Sequence, residues 1–168
     1  IVRIRALYRA GAFLLPLSDG KHTHTPATTI DARVRQMCES AAQAAERGFR
    51  LIDAPVSGGE AGAINAALSI MVGGSAEDFA AAKPILDVVG KTVVHLGPSG
   101  SGQTVKAANQ LIVAGNIELL AEAIIFLEAY GVDTKAAVEV LGGGLAGSAV
   151  LNQKAQKMLD RSFDPGFR

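Results

Sequence analysis

The sequence holds a single cysteine, Cys38, among 168 residues. No internal disulfide can form, and the chain fits a reducing compartment of the cytoplasmic type. Surplus charge is also missing, because 16 Lys and Arg balance 16 Asp and Glu. A neutral chain lacks the basic footprint of a nucleic-acid binder and has no net attraction to an anionic membrane surface. No uninterrupted apolar run reaches the length of a membrane span. Residues 111–127 come nearest, and Asn116, Glu118 and Glu122 interrupt them. The apolar patch at 12–15 has neither the extent nor the small-residue cleavage site of a secretory signal. Internal repeats and low-complexity tracts are absent as well. What is present is a chain 49% hydrophobic and 19% charged, sufficient for a packed core. It begins at Ile1 rather than Met and stops within Asp164-Pro-Gly-Phe-Arg168, which reads as a piece of a longer protein.

Residues 1–24 resist assignment, and Asp19-Gly20 with the polar run Lys21-His-Thr-His-Thr25 reads as loop. Thr25 before Pro26 has the form of a helix cap followed by proline at the first helical position. A helix is expected from there to about Arg47, closed by Gly48. Strands are expected over 49–54, 68–72 and 92–96, with a turn at Pro55-Val-Ser-Gly-Gly59 and a helix over 76–89 whose first turn carries Glu77 and Asp78. This alternation implies an α/β sheet. After Gly97 the pattern becomes helical: a long helix over 103–130 ended by Gly131, a second capped by Asp133 or Thr134 and running to about Leu141, and a third over 148–160. The expected fold class is therefore α/β followed by all-α.

Lys106, Asn109 and Gln110 are spaced i, i+3 and i+4, so they share one face of the long helix. The rest of that helix is apolar on all sides, the pattern of burial. Polar groups on such a helix must find partners or face a cavity. Burial lowers a lysine pKa, and the helix N-terminus opposes a cation, so both effects prepare the ammonium to release a proton. The alternative is a lysine that snorkels over the helix end. In Asp53-Ala-Pro-Val-Ser-Gly-Gly59 a hydroxyl and two glycines end a strand. Exposed N–H groups there can cradle a carboxylate, although an ordinary tight turn has the same composition. The glycines at 97, 100 and 102 fit neither dinucleotide nor P-loop spacing and are expected to form a flexible joint. His22 and His24 have no cluster of further ligands, so no metal site is expected. His95 is expected to be structural, and Cys38 to face the core.

Three stretches together resemble the β-hydroxyacid dehydrogenase family (3-hydroxyisobutyrate dehydrogenase-like). They are Asp53-Ala-Pro-Val-Ser-Gly-Gly59 with Ala61-Gly-Ala63, then Leu68-Ser-Ile-Met-Val-Gly-Gly74, then Gly102-Gln-Thr-Val-Lys-Ala-Ala-Asn-Gln110, which fits G-x-x-x-K-x-x-N-[N/Q]. The resemblance spans about residues 47–168. It implies a Rossmann-type NAD(P)-binding domain, partial here over 25–98, and a long interdomain helix with the start of a helical domain over 99–168. It implies NAD or NADP as cofactor and reversible hydride transfer to a small 3-oxo acid. In those roles Lys106 is the proton donor, Ser57, Gly58 and Gly59 hold the substrate carboxylate, and Asn109 and Gln110 orient the lysine or the substrate. The resemblance further implies a small 3-oxo or 3-hydroxy acid as partner, a homo-oligomer at full length, and no nucleic-acid or membrane partner. The family's glycine-rich pyrophosphate loop is not legible, and residues 1–24 do not resemble the family. A competing expectation for the chain as it stands is a non-catalytic module that binds or oligomerises through the long helix.

Overall fold

The computed structural model describes residues 26–163. The chain divides into two compact units, one extending to Ala108 and the other starting at Asn109. Thr25, His22, His24 and the rest of 1–24 lie outside the described residues.

In the first unit, helix α1 spans Pro26–Glu46. It ends where Gly48 takes φ 73°, a left-handed conformation that suits glycine. The N–H groups of Gly48 and Phe49 bond back to the carbonyls of Ala45 and Ala44. The strand expected over 49–54 does not form. Phe49 and Leu51 are exposed, and the only strand pairing upstream of Pro55 among the described residues is an isolated antiparallel bridge between Asp53 and Gly73. Pro55 has no N–H to give, although its carbonyl accepts from Met71 N at 2.9 Å. The strand, β1, is only Val56–Ser57. Helix α2, Gly59–Ile64, follows the turn in a stretch where no element was expected, and none of its residues is buried, so it leaves no apolar stripe in the sequence.

Strand β2, Leu68–Gly73, buries Leu68, Ile70 and Val72 on alternate positions. Helix α3, Ala76–Leu86, is capped by Ser75, whose hydroxyl accepts from Asp78 N at 3.0 Å. It stops short of residue 89 because Val88 and Val89 bond three residues back, to Ile85 and Leu86. Strand β3 then begins early and spans Gly90–Gly97. The sheet order is β1-β2-β3. β1 runs antiparallel to β2, and β2 runs parallel to β3, with Ile70 opposite Val93. The core of this unit is Leu68, Ile70, Val72 and Leu86, covered by Ile52, Val56, Phe79 and Val93. The expected α/β alternation is present with shifted edges.

Helix α4, Ser101–Ala129, is 29 residues long. Contrary to the expectation from its polar interruptions, it is long and apolar enough to cross a membrane by length and composition. Asn116, Glu118 and Glu122 are outweighed by the surrounding Leu, Ile and Val. The unit boundary falls inside this helix rather than ahead of it, because its first turns are bonded to the sheet side. In the second unit, Gly131 at φ 68° ends α4, and Val132 N bonds to Leu127 O at 3.1 Å. Asp133 caps helix α5, Thr134–Gly143, accepting from Lys135 N and Ala136 N. The helix continues through Gly142, where glycine leaves room for Leu151 Cδ2, 3.4 Å from where a Cβ would stand. Ser148 caps helix α6, Ala149–Leu159. Leu120, Ile124, Leu151 and Ala155 form the core of this unit, with Val138, Leu141 and Met158 against it.

Candidate active site

The candidate site begins at Asp53, the only charged or polar residue buried among the described residues, at 2% exposure. Its backbone is fixed by the paired bonds to Gly73, N to O at 3.0 Å and O to N at 2.8 Å. Its carboxylate accepts from Gly100 N at 2.7 Å and from Gln103 N at 2.9 Å. The first N–H groups of a helix have no partner within the helix. Asp53 satisfies two of them at the start of α4 from 47 and 50 residues away, acting as a cap supplied by another part of the chain.

This contact overturns the expectation of a flexible glycine joint. Gly100 and Gly102 are buried. A Cβ at Gly102 would stand 2.3 Å from Met71 O and 2.8 Å from Asp53 Oδ2. At Gly100 it would meet Val34 Cγ1 at 3.0 Å and Cys38 Sγ at 3.2 Å. The glycines permit close packing and leave no space for a phosphate, and the helix N-terminus already holds a carboxylate. This stretch therefore does not fit a dinucleotide pyrophosphate. Cys38 does not face the core: it is exposed, and its thiol donates to Ser99 O at 3.1 Å beside this same loop. His95 has the structural role expected of it, with Nε2 2.8 Å from Gly74 O and its ring stacked on Phe79 at a 5.1 Å centroid distance.

Two turns into α4, Lys106 is half-buried, and its Nζ donates to Val56 O at 2.8 Å. Val56 immediately precedes Ser57, so the ammonium is attached to the segment that carries the Ser-Gly-Gly turn. Burial pushes the Lys106 pKa below the ordinary lysine value. A lysine that snorkels would direct its ammonium to water; this one directs it to a main-chain carbonyl. Ser57 is half-buried, while Gly58 and Gly59 are exposed with φ 136° and 64°. Among the described residues neither glycine N–H has a backbone acceptor, so both remain able to donate to an incoming anion. Asn109 and Gln110, both half-buried, belong to the second unit. The Asn109 Oδ1 is buried without a partner, an uncommon state for a side-chain acceptor. The structure thus brings Lys106 to the Ser57 segment. Asp53 was visible within its motif, but its capping role was missed, because nothing local signals a carboxylate that acts on a helix about fifty residues later.

A mixed sheet, a long helix entered through a buried carboxylate and a lysine bonded to the strand just ahead of a Ser-Gly-Gly turn define an α/β architecture followed by helices. Residues 5–97 match the family model described as the NAD binding domain of 6-phosphogluconate dehydrogenase. Residues 100–168 match the model described as NAD-binding of NADP-dependent 3-hydroxyisobutyrate dehydrogenase. The chain belongs to the 3-hydroxyisobutyrate dehydrogenase family of NAD(P)-dependent β-hydroxyacid dehydrogenases. The first match begins at residue 5 and so takes in most of the stretch that the motifs left unassigned. The chain is 45% identical over 128 residues to the 2-hydroxy-3-oxopropionate reductase of Escherichia coli, covering 76% of this chain and 44% of that protein. Among solved structures, the 3-hydroxyisobutyrate dehydrogenase of Mycobacterium tuberculosis with L-serine is similar, with a TM-score of 0.70 and 30% identity. That match covers 80% of this chain and 48% of the other. Psf3 in complex with NADP+ and 2-OPP gives a TM-score of 0.71 at 28% identity, over 76% of this chain and 45% of that one. The chain spans about half the length of the relatives it matches. The fold of these relatives is a Rossmann-type NAD-binding domain followed by a helical domain, and the family's cofactor class is NAD or NADP.

Proposed function

We propose that the full-length protein reduces 2-hydroxy-3-oxopropanoate (tartronate semialdehyde) to glycerate, reversibly, with Lys106 as proton donor. The observation that carries this reading is the Lys106 Nζ–Val56 O bond of 2.8 Å, which holds a half-buried ammonium beside the Ser57 turn. The cofactor of the family supplies hydride, which reaches the aldehyde carbon. As the carbonyl π electrons move onto oxygen, an N–H of Lys106 protonates the growing alkoxide. A lysine whose pKa is lowered by burial gives up that proton more readily. The hydroxyl of Ser57 and the free N–H groups of Gly58 and Gly59 hold the substrate carboxylate, and their positive φ angles are open to glycine at no steric cost. Asn109 and Gln110 orient the lysine or the substrate through their carboxamides. In this reading the partial Rossmann-type part over 25–98 recognises cofactor and carboxylate, and the helix that opens the helical part over 99–168 contributes Lys106 from its first turns, which belong to the first compact unit. We also assign the protein to the cytoplasm and, when full length, to a homo-oligomer.

The choice of substrate rests on the name of the E. coli relative, which is 45% identical over 128 residues, and on the stretches Gly142-Gly-Gly-Leu-Ala-Gly-Ser148 and 160–168. A panel of tartronate semialdehyde with NADH and NADPH, and of 3-hydroxyisobutyrate and L-serine with NAD+ and NADP+, run on the full-length protein, tests it. The highest kcat/KM is expected for tartronate semialdehyde. A clear preference for the branched acid or for serine would overturn the substrate and leave the dehydrogenase class intact.

A further inference from the structure

Asp53 has no role in the proton transfer just described, yet it is the most deeply buried charge among the described residues. We propose that Asp53 is the positioning residue for Lys106: its carboxylate locks the first turn of α4 to the segment that carries Ser57 and so fixes where the lysine ammonium stands. The catalytic meaning of this role rests on the proton-donor reading above.

The segment 53–57 meets α4 at two points. At one, the Asp53 carboxylate takes the N–H groups of Gly100 and Gln103. At the other, Lys106 Nζ reaches Val56 O. Asp53 and Val56 are three residues apart, as are Gln103 and Lys106, so the two tethers form a short closed frame. One side of the frame is rigid helix. On the other side Asp53 is tied into the sheet through both of its backbone bonds to Gly73. The frame has no slack. A Cβ at Gly73 would lie 2.3 Å from Asp53 Oδ1, and one at Gly102 would lie 2.8 Å from Asp53 Oδ2. The carboxylate is thus enclosed by two glycines and two donors. An ionised carboxylate only accepts, and each oxygen here meets one N–H. An amide in its place would turn an NH2 group toward one of those donors and loosen the helix entry. With that entry loosened, Lys106 would no longer be held to the Val56 carbonyl and its amine would swing toward water.

The test uses the full-length protein with labelled lysine side chains, the Lys106 signal being assigned by its loss in Lys106→Arg. In Asp53→Asn, exchange of the Gly100 and Gln103 amides should rise by about tenfold or more, as expected for loss of a charge-assisted bond. The Lys106 titration midpoint should rise toward that of a free lysine. Leu86→Ala, which loosens the core of the same unit elsewhere, should leave that midpoint in place. A folded Asp53→Asn with an unmoved Lys106 midpoint would overturn the proposal. Should Asp53→Asn not fold, Gln103→Pro decides. It removes one donor in the first helical turn, where proline is tolerated, and keeps the carboxylate; a raised midpoint supports the frame and an unchanged one refutes it. Turnover of full-length Lys106→Ala is a separate matter, since unimpaired turnover would remove the catalytic reading while the frame itself could still be measured.

Discussion

The two units solve the problem of their polar groups in opposite ways. In the second unit the core is wholly apolar, Leu120, Ile124, Leu151 and Ala155, and the capping residues Asp133 and Ser148 act on the helices they directly precede. In the first unit a carboxylate is buried beside the sheet and caps a helix far along the chain, and an ammonium reaches into the main chain. The second arrangement is local and replaceable. The first ties distant segments together at fixed distances, which is what the proposed proton transfer requires. Stability alone could have been obtained more simply, because a buried charge costs free energy unless it is fully satisfied.

Core truncations should affect both units most strongly. Ile70→Ala and Leu151→Ala should each cost about 2–5 kcal/mol in denaturant unfolding. Hydrogen exchange should show the loosening of Leu151→Ala in α5 and α6 and that of Ile70→Ala in the sheet. If either change loosened both regions equally, the division into units would fail. Gly102→Ala comes next, with a cost of about 1–3 kcal/mol by overpacking, because its methyl would strike Met71 O and the Asp53 carboxylate. Asp133→Ala, a local cap, should cost about 1 kcal/mol, read from the melting transition. Gly115→Ala sharpens the contrast between two glycines of one helix. Nothing lies within 4 Å of its Cβ position, so this change should stabilise by about 0.5–1 kcal/mol.

The smallest effect concerns pH. Burial lowers the Lys106 pKa in the folded chain, so between its folded and unfolded values the unfolded chain binds more protons, and stability rises with pH. The cost of holding the charged lysine is complete below the folded pKa and fades as pH rises toward the ordinary lysine value. Lys106→Met should therefore gain stability at neutral pH, with the advantage shrinking in alkali. Solvent screening of this half-exposed group keeps the effect modest. An advantage that grew with pH would contradict the assigned cause.

Much of this is legible in the sequence wherever the physics is local. The alternation of Leu68, Ile70 and Val72, the stop at Gly131, the cap at Asp133 and the polar face of Lys106 all lie within a few residues of their consequences. Hidden features depend on partners far along the chain. β1 is two residues long and exists because β2 lies beside it. α2 has no buried face to mark it. Gly97, Gly100 and Gly102 suggest freedom by composition but are close-packed, because Asp53, Met71, Val34 and Ser101 fill the space around them. Residues 49–54 have the composition of a strand but, among the described residues, pair with another strand segment only at Asp53.

The central claim is that the Lys106 ammonium delivers the proton, and turnover of the full-length protein with Lys106→Ala tests it most directly. A fall in kcat of about 100- to 10,000-fold, the usual contribution of a general acid, with cofactor affinity unchanged, is the expected result; near-normal turnover would contradict it.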